Sequence, residues 1–169
     1  MQEMVLKLND VVVEMAYSMF DQELKSKSKT DVCSRPGFAD RYVALISLGN
    51  KNFHGRIVIG IPDQIVKGEM FQELLEMHTV ETDESEEELI KSAIGEFVNV
   101  VGSDFIAREE FVAKYGNLNI SLPLVWDSEI EDFPLFTEQN GIQGSVEQGE
   151  EMISTFISVS KLRYGIKYS

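Results

Sequence analysis

Three polar residues are spaced so that they could act on one substrate: Ser92, Glu96 and Asn99. A helix turning about 100° per residue brings Glu96 and Asn99 to the same side, one turn apart, with Ser92 one turn before Glu96. A carboxylate and a neutral amide so placed have a limited repertoire. The carboxylate can pair with a cation on a partner. The amide can accept a hydrogen bond from water through its carbonyl while its NH₂ donates elsewhere. Spacing alone does not separate such a pair from a solvated helix face.

The element that must carry these residues is an amphipathic helix over 85–102. Ser85 is an N-cap type, and Glu88 three residues on completes a capping box. Glu86, Glu87 and Glu88 put negative charge in the first turn, where the helix dipole favours it. Leu89, Ile90, Ala93, Ile94, Phe97, Val98, Val100 and Val101 fill one arc, the face a core would take. Ser92, Gly95, Glu96, Asn99, Gly102 and Ser103 fill the opposite arc. Each glycine costs the helix about 1 kcal/mol relative to alanine, which suits a face that another backbone approaches. Gly102 also reads as a C-cap.

Taken with Pro123, the pattern Ser92-x-x-x-Glu96-x-x-Asn99 resembles the signature of the CheC/CheX/FliY phosphatases of bacterial chemotaxis. The words "SAIGEFVNVVG" and "LNISLPLV" are similar to that family, and "YVALISLGNKNFHGRIVIGIP" resembles its central hairpin. In many members the glycine after the asparagine stands one residue later than Gly102. The resemblance implies a pseudo-twofold α/β (α+β) fold, an antiparallel sheet packed against long helices. It is the single-site, CheX-like form, because the first helix, "EMAYSMFDQEL", carries no Glu-x-x-Asn. It further implies a two-component signalling hydrolase that dephosphorylates a CheY-like receiver domain. Asn99 would position the hydrolytic water, and Glu96 would pair with the receiver's lysine. Gly95 and Gly102 would let receiver loops approach, Ser92 would be a minor contact or none, and Pro123 would shape the strand behind the helix. The receiver would supply Mg²⁺, so no cofactor of its own is expected, and members of this type can form homodimers. Two other readings stand beside it: a non-catalytic domain that binds receivers or a flagellar switch, and a soluble α/β adaptor with a coincidental motif.

Composition bounds the rest. The 169 residues suit one domain spanning 1–169, with 43% apolar residues. Net charge is −14, from 29 acids against 15 Lys and Arg, and such a surface repels nucleic acid and anionic membranes. The lone Cys33 allows no internal disulfide, which fits a reducing compartment. No signal peptide or bilayer-spanning run is visible, so a cytoplasmic location is expected.

Along the chain, residues 1–7 read as a short strand or a frayed start, and 10–25 as a helix with Asn9 and Asp10 as N-cap types. Residues 25–36 read as a loop or part of a strand, 41–49 and 53–61 as a hairpin about Asn50–Asn52. Residues 63–78 read as one helix with Asp63 as N-cap, followed by an acidic linker. A further helix is expected over 104–114, ending near Gly116, then strands at "NLNISLPLVW" and "MISTFISVSK". Residues 127–149 read as an acidic, glycine-bearing loop. Its Asp127, Glu129, Glu131 and Asp132 lack the pattern of a calcium loop and read as solvated. His54 and His78 read as structural, and Trp126 as core. No phosphate loop, dinucleotide motif or zinc spacing is present.

Overall fold

The computed structural model describes residues 2–79, 85–131 and 140–162. In chain order its elements are α1 (Gln2–Phe20), β1 (Lys25–Ser26), β2 (Asp31–Cys33), β3 (Tyr42–Gly49), β4 (Phe53–Ile61), α2 (Asp63–Val66), α3 (Glu69–Thr79), α4 (Glu86–Ala107), α5 (Glu109–Tyr115), β5 (Asn119–Ile120), β6 (Leu124–Asp127), β7 (Gly141–Gln148) and β8 (Glu151–Lys161). All eight strands join one sheet, ordered β1-β7-β8-β4-β3-β5, with β2 also on β7 and β6 also on β3. Every pairing is antiparallel. At the centre β4 meets β8 with Ile57 opposite Ile157, and the order reads alike from either edge: a hairpin, then two short strands sharing its outer edge. This is the pseudo-twofold α+β plan expected from the sequence.

The helices cover one face of this sheet. α1 lies on β7 and β8, α4 lies on β3 and β6, and α3 packs on both helices. Strands β3 and β4 are rich in Val, Ile and Leu because both of their faces are buried. Ala44, Ile46, Leu48, Ile57, Ile59 and Ile61 meet the helices. Val43, Leu45, Val58 and Phe156 form a smaller cluster behind the sheet with Phe38 and Trp126. Phe20 of α1, Phe71 of α3 and Phe97 of α4 join the three helices, with ring centroids 5.4, 5.6 and 5.9 Å apart. Among the described residues no helix is long and apolar enough to cross a membrane.

Several boundaries differ from the sequence reading. α1 begins at Gln2, so Asn9 is no cap. It lies buried in mid-helix, where its Oδ1 accepts from Thr155 Oγ1 at 2.6 Å and its Nδ2 donates to Ser145 O at 3.2 Å. The helix stops at Phe20, before Asp21 in the left-handed region (φ 53°). Residues 63–78 form two helices, with Pro62 as the N-cap of α2. The "NLNISLPLVW" strand is two strands, interrupted at Ser121–Pro123.

The largest departure is β7, within the stretch read as a loop. Its glycines are demanded by packing. A β-carbon at Gly144 would stand 3.0 Å from Asn9 Nδ2, and one at Gly141 would stand 2.3 Å from the Phe156 ring. Asp132 and most of the acidic linker lie outside the described residues, as does the side chain of His78. His54 is exposed on β4, and Cys33 is a half-buried free thiol on β2.

Candidate functional site

α4 begins with the expected capping box. Ser85 Oγ accepts from Glu88 N at 3.3 Å, and Glu88 Oε2 accepts from Ser85 N at 3.0 Å. Its buried residues are Leu89, Ile90, Ala93, Ile94, Phe97, Val98, Val101, Gly102 and Phe105. That apolar face fixes the helix rotation. It leaves Ser92 and Glu96 exposed and Asn99 half-buried on one outward stripe. Three of the residues singled out by sequence are therefore together, one turn apart.

The two glycines part company. Gly95 is half-buried beside β6, where a β-carbon would touch Val125 Cγ2 at an ordinary 3.8 Å. Gly102 is a correction to the sequence reading. It neither ends the helix, which runs to Ala107, nor faces outward. A β-carbon there would lie 2.6 Å from Ile46 Cδ1 and 3.9 Å from Ile120 Cδ1. Gly102 lets α4 settle onto β3 and offers no surface to another protein.

These contacts also align helix and strand. Gly95 stands opposite Val125 and Gly102 opposite Ile120, so the chain from 125 back to 120 runs alongside α4. Pro123 lies within this stretch, in the break between β5 and β6. Proline donates no backbone hydrogen bond, and the ladder with β3 is interrupted here. Ser121 holds the break closed: its N donates to Ser47 O at 3.0 Å, its Oγ accepts from Ser47 N at 3.0 Å, and its hydroxyl donates to Leu122 O at 2.9 Å.

Ion pairs anchor the other end of the stripe. Lys91 Nζ lies 3.0 Å from both Glu87 Oε1 and Glu131 Oε2, tying α4 to the turn after β6. Partial burial pulls the Lys91 ammonium down, but the two carboxylates outweigh it and leave the pKa raised. Arg41 clamps Asp127 through Nε to Oδ1 at 3.0 Å and Nη2 to Oδ2 at 2.9 Å, and its Nη1 reaches Asp63 Oδ1 at 3.0 Å. The Asp127 side chain is only 1% exposed. Hydrogen bonding to Arg41 holds its carboxyl below the usual range against the opposing cost of burial. Ile130 N and Glu131 N donate to Asp127 O at 3.0 and 2.9 Å, which fixes the turn.

The acidic cluster of the sequence is thus in part a set of ion pairs, and Asp127 is buried, not solvated. Among the described residues no group of three or more His, Cys, Asp or Glu is disposed to hold a metal ion. Sequence reasoning missed Arg41 and Lys91 as positioning residues. The Glu87–Lys91 spacing was a legible signal; the partners Asp127 and Glu131 were not.

No family model matches the chain, and no curated protein matches it. Solved structures do. The chemotaxis protein CheX from Vibrio vulnificus superposes with a TM-score of 0.71 at 16% identity, covering 94% of this chain and 99% of that one. The CheX–CheY–BeF3–Mg²⁺ complex from Borrelia burgdorferi gives 0.62 at 15% identity, covering 92% and 96%. The FliM middle domain from H. pylori gives 0.56 at 11% identity, covering 93% and 87%. The chain has the fold of the CheX and CheC-like chemotaxis proteins.

Proposed function

We propose that this chain is a CheX-like phosphatase, which hydrolyses the phospho-aspartate of a CheY-like receiver domain in two-component chemotaxis signalling. One arrangement carries the reading: Glu96 and Asn99 lie one turn apart on the outward stripe of α4. Support comes from the shared fold, since the matched B. burgdorferi structure is a CheX–CheY complex.

Receiver domains hold their phospho-aspartate beside their own Mg²⁺ and lysine, so this chain needs no metal. Its task is to place a water in line with the scissile P–O bond. The Asn99 carbonyl accepts from that water and orients it. Water oxygen bonds to phosphorus, the P–O bond to the aspartate breaks, and the receiver recovers its carboxylate. Glu96 pairs with the receiver's lysine and fixes the register of the two proteins. Ser92, one turn earlier, is at most a contact, and Gly95, next to Glu96, lets the receiver's loops approach. The reading carries with it a cytoplasmic location and the capacity to form a homodimer.

The likeness to the FliM middle domain favours a second reading, a non-catalytic domain that binds receivers or a flagellar switch. Decay of a receiver labelled with radioactive acetyl phosphate, with and without the chain, separates the two. Faster decay supports the phosphatase. Capture of the receiver with unchanged decay leaves the binding domain.

A further inference from the structure

We propose that the cleft between the β3–β4 turn and the α5–β5 connection binds a small soluble ligand carrying both a phosphate and hydroxyl groups, of the sugar-phosphate class. The cleft holds about 550 Å³. Lys51 and Asn52 line it from the turn, and Lys114, Asn117 and Asn119 line it from the connection. None of its lining residues is acidic.

That lining stands apart from the rest of a chain with 29 acids against 15 Lys and Arg. No Asp or Glu occurs between Asp40 and Asp63, between Glu110 and Asp127, or from Met152 through Lys161. Burial accounts for this within the strands. It does not account for the tips, where Lys51, Asn52, Asn117, Asn119 and Lys161 are exposed. The sheet gathers those tips: Asn119 pairs with Gly49, Phe53 pairs with Lys161, and Leu162 N donates to Asn52 O at 2.7 Å. Three acid-free segments thus meet at one end of an acidic molecule. Their lysines are uncommitted. Among the described residues Lys51 and Lys161 make no ion pair, and Lys114 only lies over the Tyr115 ring, 5.3 Å from its centroid. Arg41, Lys67, Lys91 and Arg108 are, by contrast, each held by carboxylates.

The cleft is also braced. Asn50 joins its two walls, with Nδ2 donating to Tyr115 O at 3.0 Å and to Asn117 O at 3.2 Å. The Asn50 Oδ1 accepts from Asn52 N at 2.8 Å and Phe53 N at 2.9 Å. Phe53 and Tyr115, which also line the cleft, pack edge to face with centroids 5.3 Å apart. Gly116 N donates to Val112 O at 2.8 Å, so two carbonyls at the end of α5 are occupied and repel an anion less.

Ammonium groups attract phosphate as point charges. Each asparagine amide adds two N–H donors and one carbonyl acceptor. A bare polyanion would use the donors and be repelled by the carbonyl oxygens, whereas hydroxyl groups use both. The net charge of −14 repels an anionic bilayer, which favours a free ligand over a lipid headgroup.

The test is titration calorimetry of the whole chain with ribose 5-phosphate, which should bind with a Kd of about 1 mM or tighter. Lys51→Ala and Lys114→Ala, both exposed positions, should each weaken binding at least about tenfold. Asn117→Asp, nearly the same size but anionic, should abolish it. Lys29→Ala, an exposed lysine by the opposite edge of the sheet, should match wild type. Inorganic phosphate should bind at least about tenfold more weakly than ribose 5-phosphate, because it lacks the hydroxyl contacts. Absence of binding, wild-type affinity in both lysine variants, or equal loss in Lys29→Ala would overturn the proposal. So would inorganic phosphate binding as tightly as ribose 5-phosphate, which leaves a plain anion site. Flotation of the chain with phosphatidylglycerol vesicles, lost in Lys51→Ala, would overturn the soluble source in favour of a headgroup.

Discussion

Gly102 lies directly beneath Ile46: a β-carbon on residue 102 would stand 2.6 Å from the Ile46 Cδ1 methyl, whose side chain is fully buried. Gly95, two turns earlier on the same helix, has room to spare beside Val125, at 3.8 Å. The same residue type therefore has opposite consequences at the two positions. Gly95→Ala should stabilise the chain by about 0.5–1 kcal/mol, the helix-propensity gain. Gly102→Ala should fail to realise that gain, and Gly102→Leu should cost about 1–3 kcal/mol through overpacking. Urea unfolding of the three variants checks this, and equal gains for both alanines would contradict the packing described.

Asp127 should control stability in acid. Its carboxyl is held below its usual range chiefly by hydrogen bonding to Arg41. A depressed carboxylate stabilises the fold above the unfolded value of about 3.9, and that stabilisation disappears as pH falls through the lower folded value. Asp127→Asn should cost about 3 kcal/mol at neutral pH. This is the low end for breaking a buried pair, because Arg41 remains 23% exposed. The variant should also lose much of the wild-type fall in stability below pH about 4. Denaturant midpoints between pH 2 and 7, on the order of one per unit, test both parts.

Asp40 should behave in the opposite sense. Burial pushes its carboxyl up, although hydrogen bonding from Ser154 pulls the other way, and its Oδ2 is buried with no hydrogen-bond partner among the described residues. A raised carboxyl favours the protonated fold, so its stabilising effect is complete below the usual carboxylate range and is lost as pH rises through the folded value. Asp40→Asn, which mimics the protonated acid, should raise the melting temperature at pH 7 and leave it nearly unchanged at about pH 3. A lower melting temperature at pH 7 would count against this account.

Asn99 and Glu96 should separate kinetically. An amide that only orients water acts in the transition state, so Asn99→Ala should lower kcat while leaving receiver affinity near wild type. Glu96→Ala should weaken binding as well as turnover, by about 2–5 kcal/mol for a lost hydrogen-bonded charge pair. Its effect should shrink at high salt more than that of Asn99→Ala. Wild-type turnover in both variants, at saturating and at low receiver, would dismiss the proposed roles.

Asn9 and Thr155 should be thermodynamically coupled. They are hydrogen-bonded at 2.6 Å in the core, so either Asn9→Leu or Thr155→Val leaves a buried polar group unsatisfied, at about 1–3 kcal/mol each. The double variant should be less destabilised than the sum of the singles, giving a coupling of at least 0.5 kcal/mol in a double-mutant cycle. Strict additivity would mean that the bond contributes nothing.

By itself the sequence determined what depends on near neighbours. The capping box at Ser85 and Glu88, the rotation of α4, the β3–β4 hairpin and the shared side of Glu96 and Asn99 all follow from helix or strand periodicity within a few residues. The tertiary structure alone decided what depends on residues far apart. Asn9 looked like a cap because its partner, Thr155, is 146 residues away. Gly141 and Gly144 looked like loop punctuation because their meaning lies in the volumes of Phe156 and Asn9. Gly102 looked outward because the helix wheel ranks glycine by polarity, whereas Ile46 selects it for size. Asp127 looked solvated because Arg41 stands 86 residues before it. Periodicity reports which side a residue takes, but only packing reports what already occupies that side.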